Sequence, residues 1–317
     1  MSNYVITASP HIRNKINTAF LMNMVSISLL PATIGGIVIF GWTNTLPLIA
    51  LSIISAVVSE ALFQKLLKLP MSYLDGSAIV TGFLLALCCP PGIPLWLPVI
   101  GSFFAIFSKQ VFGGLGHNPF NPALIGRAFL VLSFPAHMTS WLKPFDVVTT
   151  STPLAVFSEK GMSGVLGLFQ GSVSTMHKSM FWGIRGGCIG EVFILGLLLG
   201  LALLLLTKTI QWYVPVTYMG TVFLVSWMLG MDPIFSILSG GVMFGAFFMA
   251  TDYVTSPMLP QSKIIYGFGC GFINVMIRFF ANMPEGTTFA ILLMNVITPM
   301  LDNRIKKPVG FVKEKTS

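Results

Sequence analysis

Residues 188–207 read CIGEVFILGLLLGLALLLLT, twenty positions with one charge, Glu191. A helix that crosses a bilayer needs about 20 predominantly apolar residues. Nine further runs of this kind lie at 19–42, 46–63, 75–90, 94–112, 121–140, 212–231, 233–250, 264–282 and 287–302. Composition agrees. Of 317 residues 54% are hydrophobic and 9% charged, against roughly 25% charged in soluble domains. So few charges cannot cover a solvated surface, and so much apolar residue excludes disorder. Mean hydropathy is +0.84. The expected fold is an all-α polytopic membrane protein of ten transmembrane helices in the lipid bilayer. The third run is short and ends in Cys-Cys-Pro-Pro-Gly, which predicts a broken or re-entrant helix.

The basic residues orient the chain. With the N-terminus cytoplasmic, the inner loops hold Arg13, Lys15, Lys65, Lys68, Lys109, Lys208, Lys263, Arg304, Lys306, Lys307, Lys313 and Lys315. The outer loops hold Lys143, Lys160, Lys178 and Arg185. This asymmetry predicts both termini inside. The net charge of +8 lies in loops between apolar runs, which argues against a nucleic-acid partner. No cleavable signal peptide is expected, because the first 18 residues are polar and the first apolar run is too long.

The resulting organisation is a cytoplasmic N-terminal segment at 1–18, five helices at 19–140, an outer loop at 141–187, five helices at 188–302 and a cytoplasmic tail at 303–317. Five plus five predicts two inverted repeats. A long loop between membrane helices is usually functional or flexible, and this one carries a Gly- and Ser-rich stretch from Gly161 to Ser179.

Cys88, Cys89, Cys188 and Cys270 contain no C-x-x-C pair and are expected as buried free thiols. The stretch Phe112-Gly113-Gly114-Leu115-Gly116-His117-Asn118-Pro119-Phe120-Asn121-Pro122-Ala123 is too rich in Gly and Pro for regular helix. It is either a tight interhelical turn or a loop that binds a cofactor or ion, with Arg127 one helical turn further on. Asp75 or Ser77 is placed to cap the third helix, or to serve a polar pocket. Asp252 ends the eighth run among hydroxyls. Glu60, Glu191, Arg127 and Arg278 lie in or near apolar runs, where a charge is costly and pairs or binds; the two glutamates are close enough to run ends to snorkel. Asp146-Val-Val-Thr149-Thr-Ser151-Thr152-Pro153-Leu-Ala155 reads by itself as a hydroxyl-rich turn with no function.

Taken together, several of these stretches resemble the RnfD/NqrB family of membrane proteins, and more closely its Rnf branch. The resemblance runs from Ser9-Pro10-His11-Ile12-Arg13 to Pro308-Val309-Gly310-Phe311. It passes through Leu30–Thr33, Asp75–Gly82, Gly113–Ala123, Met249–Asp252 and Glu285–Asn295. It implies ten helices with a urea- and ammonium-channel-like architecture. It implies membership of an ion-translocating ferredoxin:NAD oxidoreductase complex, with an FMN-carrying subunit and iron–sulfur subunits as partners. Members carry FMN joined through its phosphate to a threonine. A flavin transferase attaches it at a D-x-x-[ST]-x-x-[ST] pattern on the outer side. Here that pattern is Asp146, Thr149 and Thr152, and Thr152, followed by Pro153-Leu154-Ala155, matches the modified position. Val147, Thr150 and Ser151 depart from the residues common there, and Ser151 is a neighbouring hydroxyl.

The family is also associated with a second, non-covalent flavin, riboflavin or FMN, in the membrane domain. The loop with Gly113, Gly114, Asn118 and Asn121, together with Asp75 and Arg127, is the candidate pocket. Three alternatives remain at this stage: the NqrB component of a sodium-translocating NADH:quinone oxidoreductase, a non-redox channel for small solutes or ions, and a membrane scaffold.

Overall fold

The computed structural model describes residues 17–68, 75–146, 148–169, 171–281 and 286–305. The N-terminal segment before 17, the tail after 305, and Leu74, Val147 and Glu285 lie outside them. The first half holds α1 (Thr18–Phe40), α2 (Trp42–Leu66), α3 (Ser77–Leu87), α4 (Trp96–Val111), α5 (Pro122–Ser133) and the single turn α6 (Pro135–Met138). A two-stranded ribbon follows, β1 (Trp141–Leu142) and β2 (Thr149–Thr150), then α7 (Pro153–Leu168) and α8 (Val173–Trp182). The second half holds α9 (Ile194–Leu206), α10 (Tyr213–Met228), α11 (Pro233–Leu238), α12 (Val242–Phe244), a π-helical turn at Gly245–Met249, α13 (Pro260–Phe280) and α14 (Thr287–Ile305).

Each of the ten apolar runs contains helix. Among the described residues, only α1, α2 and α13 are long and apolar enough to cross a membrane on their own. At 1.5 Å per residue α3 is about 16 Å long, half of a hydrocarbon core of about 30 Å. It is nonetheless buried all round except at Ile79, which is the signature of a helix inside a bundle. The same helix pairs recur in the two halves: α2 packs on α4 and α4 on α5, as α10 packs on α13 and α13 on α14. The first helices of the halves, α1 and α9, pack on each other.

Helix starts follow local chemistry. Asn121, Thr152 and Asp232 each precede a proline, and each side chain accepts backbone N–H groups of the turn it opens. A polar N-cap followed by Pro at N1 satisfies orphan donors without wasting one.

Buried backbone that is not helical has partners. After α3 the chain Cys88-Cys89 meets residues 188–190: Gly190 N donates to Leu87 O at 2.9 Å and Ile189 N to Cys89 O at 3.3 Å. Non-helical backbone at membrane depth persists only when it is satisfied by protein in this way. The short third helix therefore ends inside the bundle, as a broken helix should.

The 141–187 segment, expected as a long Gly- and Ser-rich loop, is largely helical. Most of it is α7 and α8, which bury Leu154, Val165, Phe169, Met176 and Met180 against Phe235 of α11. Glycine marks a kink here rather than a flexible tract: Gly161 sits at φ +66° inside α7. His177 Nε2 lies 2.8 Å from Asp232 Oδ2 and ties α8 to the start of α11.

Candidate functional site

Two regions carry polar chemistry, one at each end of α5. The first is a slot where the loop before α5, the start of α3 and the loop after the π-turn converge. Ser77, Lys109, Asn118, Asn121 and Asp252 are polar lining residues, and Met22, Leu84, Leu115 and Phe248 are among the apolar ones. A mainly apolar wall with a few convergent polar groups is the usual make-up of a small-molecule site. The slot's volume is about 50 Å³, well below the roughly 300 Å³ at the low end of ligand pockets. A tricyclic ligand enters only if the slot widens.

Asn121 is committed to structure. Its Oδ1 accepts from Ala123 N at 3.0 Å and its Nδ2 donates to Met249 O at 3.2 Å. Asn118 is different. Its Nδ2 donates to Phe120 O at 3.0 Å, while its buried Oδ1 has no partner among the described residues. A buried acceptor left open costs free energy unless a ligand or water completes it. The glycines make the loop possible: Gly113 and Gly114 sit at φ +106° and +85°, which side chains resist. Neither glycine lines the slot, though Leu115 does.

Lys109 adds a charge that the sequence placed in a loop. It is buried, with Nζ 2.6 Å from Glu60 Oε1 and 2.7 Å from Ser77 Oγ. Gln110 Nε2 donates to the same Glu60 oxygen at 3.1 Å. Glu60 therefore does not snorkel, and Lys109 leaves the count of inner-loop cations without changing its direction. Asp75 caps locally, accepting from Ser77 N at 2.8 Å, and is not among the slot's lining residues. At the slot's rim burial pushes the Asp252 carboxyl above the usual carboxylate value, against the lowering pull of the Thr255 hydroxyl.

Arg127 is not in the slot. From the middle of α5 it points to the bundle interior, where Nη2 approaches Cys188 Sγ at 3.6 Å. Glu191 is 3% exposed, too buried to snorkel, and its Oε1 accepts from Cys188 N at 3.0 Å. Arg278 donates to Ser236 O and Ser239 O at 2.8 and 3.1 Å. It thereby neutralises the carbonyl end of α11. All four cysteines are buried free thiols.

The second region is the ribbon after α6. Trp141 pairs with Thr150 and Leu142 with Thr149, so Asp146 sits in the hairpin turn and Thr149 on its return strand. Two residues on, Thr152 caps α7, its Oγ1 accepting from Ala155 N at 3.1 Å. Thr149 and Ser151 are exposed, whereas Thr152 is 7% exposed. The hydroxyl-rich turn is thus a hairpin that delivers one threonine to a helix N-terminus.

A family model described as the NQR2, RnfD, RnfE family matches residues 5–310. The chain belongs to that family. Curated relatives agree over nearly their whole length, and each is the D component of its complex. That of the Na(+)-translocating ferredoxin:NAD(+) oxidoreductase complex of Acetobacterium woodii is 46% identical over 99% of this chain and 97% of its own. That of the proton-translocating ferredoxin:NAD(+) oxidoreductase complex of Clostridium ljungdahlii is 42% identical over 97% and 96%. That of the ion-translocating oxidoreductase complex of Aliivibrio salmonicida is 35% identical over 94% and 96%. Two relatives of this family member, almost equally similar to it, are named for different ions, so family membership does not decide the ion.

Proposed function

We propose that this chain is a membrane flavoprotein subunit of an Rnf-type ferredoxin:NAD oxidoreductase complex, and that it relays electrons through FMN carried on Thr152. The observation that carries the attachment is the folded form of the Asp146–Thr149–Thr152 pattern. Thr152 is the N-cap of α7, where an anion is favoured by the positive end of the helix dipole. Thr152 is largely buried, so a flavin transferase acts before the hairpin packs or when it opens. A flavin supplies one- and two-electron chemistry when bound, and the protein's part is to place it and tune it.

In this reading the ten helical segments form two inverted five-helix repeats in a bacterial or archaeal cytoplasmic membrane. Both termini are inside and the hairpin is on the outer face. Partner subunits bring a further FMN and iron–sulfur centres, and electron flow is coupled to Na⁺ or H⁺ movement. The slot is the seat of a second, non-covalent riboflavin or FMN, with the open Oδ1 of Asn118 as its hydrogen-bond acceptor.

The test is in-gel flavin fluorescence of the denatured chain expressed with a flavin transferase, beside Thr152→Ala. A fluorescent wild-type band absent from the variant supports the reading. A band that survives moves the attachment to Ser151 or Thr149. A dark wild-type band, with the transferase active on another substrate, leaves a channel-like or scaffold role.

A further inference from the structure

Beside the hairpin lies a cleft of about 300 Å³, six times the volume of the slot and open to one side. Ser151 and Pro153, which flank Thr152, form part of its wall, and Lys143 and Arg185 are its cationic lining residues. The Arg185 segment is pressed against the hairpin: a Cβ on Gly186 would lie 2.9 Å from Thr150 Cγ2. Arg185 is 4% exposed. Its Nη2 donates to Glu191 O at 2.7 Å, and its buried Nε has no partner among the described residues. Two carboxylates bear on the charge. Asp146 Oδ2 is 3.8 Å from Lys143 Nζ on the exposed rim, and Glu191 Oε1 is taken by Cys188 N. Neither satisfies Arg185 Nε.

We propose that this cleft is the seat of the phosphodiester that joins the flavin to Thr152, with Arg185 supplying the buried charge and Lys143 the outer one. The proposal rests on the attachment at Thr152 read above. A phosphodiester carries one negative charge and two free oxygens, which suits the N–H fork of a guanidinium. Esterification weakens Thr152 Oγ1 as the acceptor for Ala155 N, and a phosphate oxygen at the helix N-terminus takes its place. A seat of this kind fixes the near end of the flavin tether, so that the ring moves about one point rather than on a loose segment.

The test is a thermodynamic cycle on the full chain, purified in detergent with and without flavinylation, for wild type, Arg185→Gln, Arg185→Lys and Lys143→Gln. Comparing loaded with unloaded chain cancels the damage that a substitution does by itself. In-gel fluorescence first establishes loading. Loading is expected to raise the apparent Tm of wild type by about 3 °C, to do so partly in Arg185→Lys, and to leave Arg185→Gln unchanged. Lys143 is 62% exposed, so Lys143→Gln folds in any case and is expected to show a reduced shift. Equal shifts in wild type and both Gln variants overturn the seat while the attachment stands. A dark wild-type band, with the transferase active on another substrate, overturns the attachment and the seat with it. If millimolar inorganic phosphate raises the Tm of unloaded wild type as much as loading does, the cleft serves a free anion and the assignment to the tether falls.

Discussion

Lys109 Nζ lies 2.6 Å from Glu60 Oε1, and both side chains are 1% exposed. The pair bridges α4 and α2, and Ser77 joins it to the start of α3. Removing one partner of a buried pair leaves an uncompensated charge, which costs about 3–5 kcal/mol. Glu60→Gln is therefore expected to lower the apparent Tm strongly, and Lys109→Met to restore most of the loss when added to Glu60→Leu. Differential scanning fluorimetry of the detergent-solubilised chain checks this. A Glu60→Gln chain as stable as wild type would contradict it.

Thr152 caps α7, and under the proposed function it also carries the flavin; the two jobs are separable. Asparagine caps as well as threonine but cannot be esterified, whereas alanine loses the cap at about 1 kcal/mol. Thr152→Asn is expected to be dark in the denaturing gel with wild-type stability of the unloaded chain. Thr152→Ala is expected to be dark and less stable. Gel fluorescence and melting curves of the two variants, side by side, separate cap from carrier.

The slot and the arginine of α5 should respond differently. Asn118 offers the open acceptor in the slot, while Arg127 faces Cys188. If the slot seats a dissociable flavin as proposed, Asn118→Ala abolishes it and leaves the proposed covalent one. Arg127→Lys is expected to keep both and to lower stability. Acid-released flavin per chain, measured by chromatography, reads this directly. A normal yield from Asn118→Ala would remove the slot from consideration.

Close helix packing depends on particular glycines. A Cβ at Gly82 of α3 would lie 2.7 Å from Ser52 O of α2, and Ser52 Oγ donates to Gly82 O at 2.7 Å. Backbone cannot yield as a side chain tip can, so Gly82→Ala is expected to prevent stable folding. At Gly220 of α10 a Cβ meets nothing within 4 Å. Gly220→Ala is expected to be neutral or to stabilise by up to about 1 kcal/mol. Yield of monodisperse protein on size exclusion compares the two.

Some of the sites are legible in local sequence. Asn118 and Asn121 stand out because Gly and Pro around them forbid a helix, and the structure places both at the slot. Lys109 does not stand out, because a lysine near the end of an apolar run looks like a loop cation. Its partner is 49 residues away, and no local pattern reports such a pairing. Arg127 lies away from the loop that its spacing suggests for a related reason. One turn along a helix fixes its height but not the direction its side chain takes. Gly161–Ser179 misleads in the opposite sense, since glycine there kinks a helix that the apolar contacts of Leu154, Val165 and Met176 hold in place.

Composition and the order of residues along the chain gave the bilayer as its solvent, the ten apolar runs, the broken third helix and the family. Tertiary structure alone decided which charges are buried and paired, where the non-helical backbone of residues 88–90 and 188–190 finds partners, and that Thr152 lies beside a cationic cleft. These depend on side chains and carbonyls brought together from distant segments. In a bundle, burial follows from the packing of neighbouring helices, and a single apolar run does not disclose which of its faces will meet them.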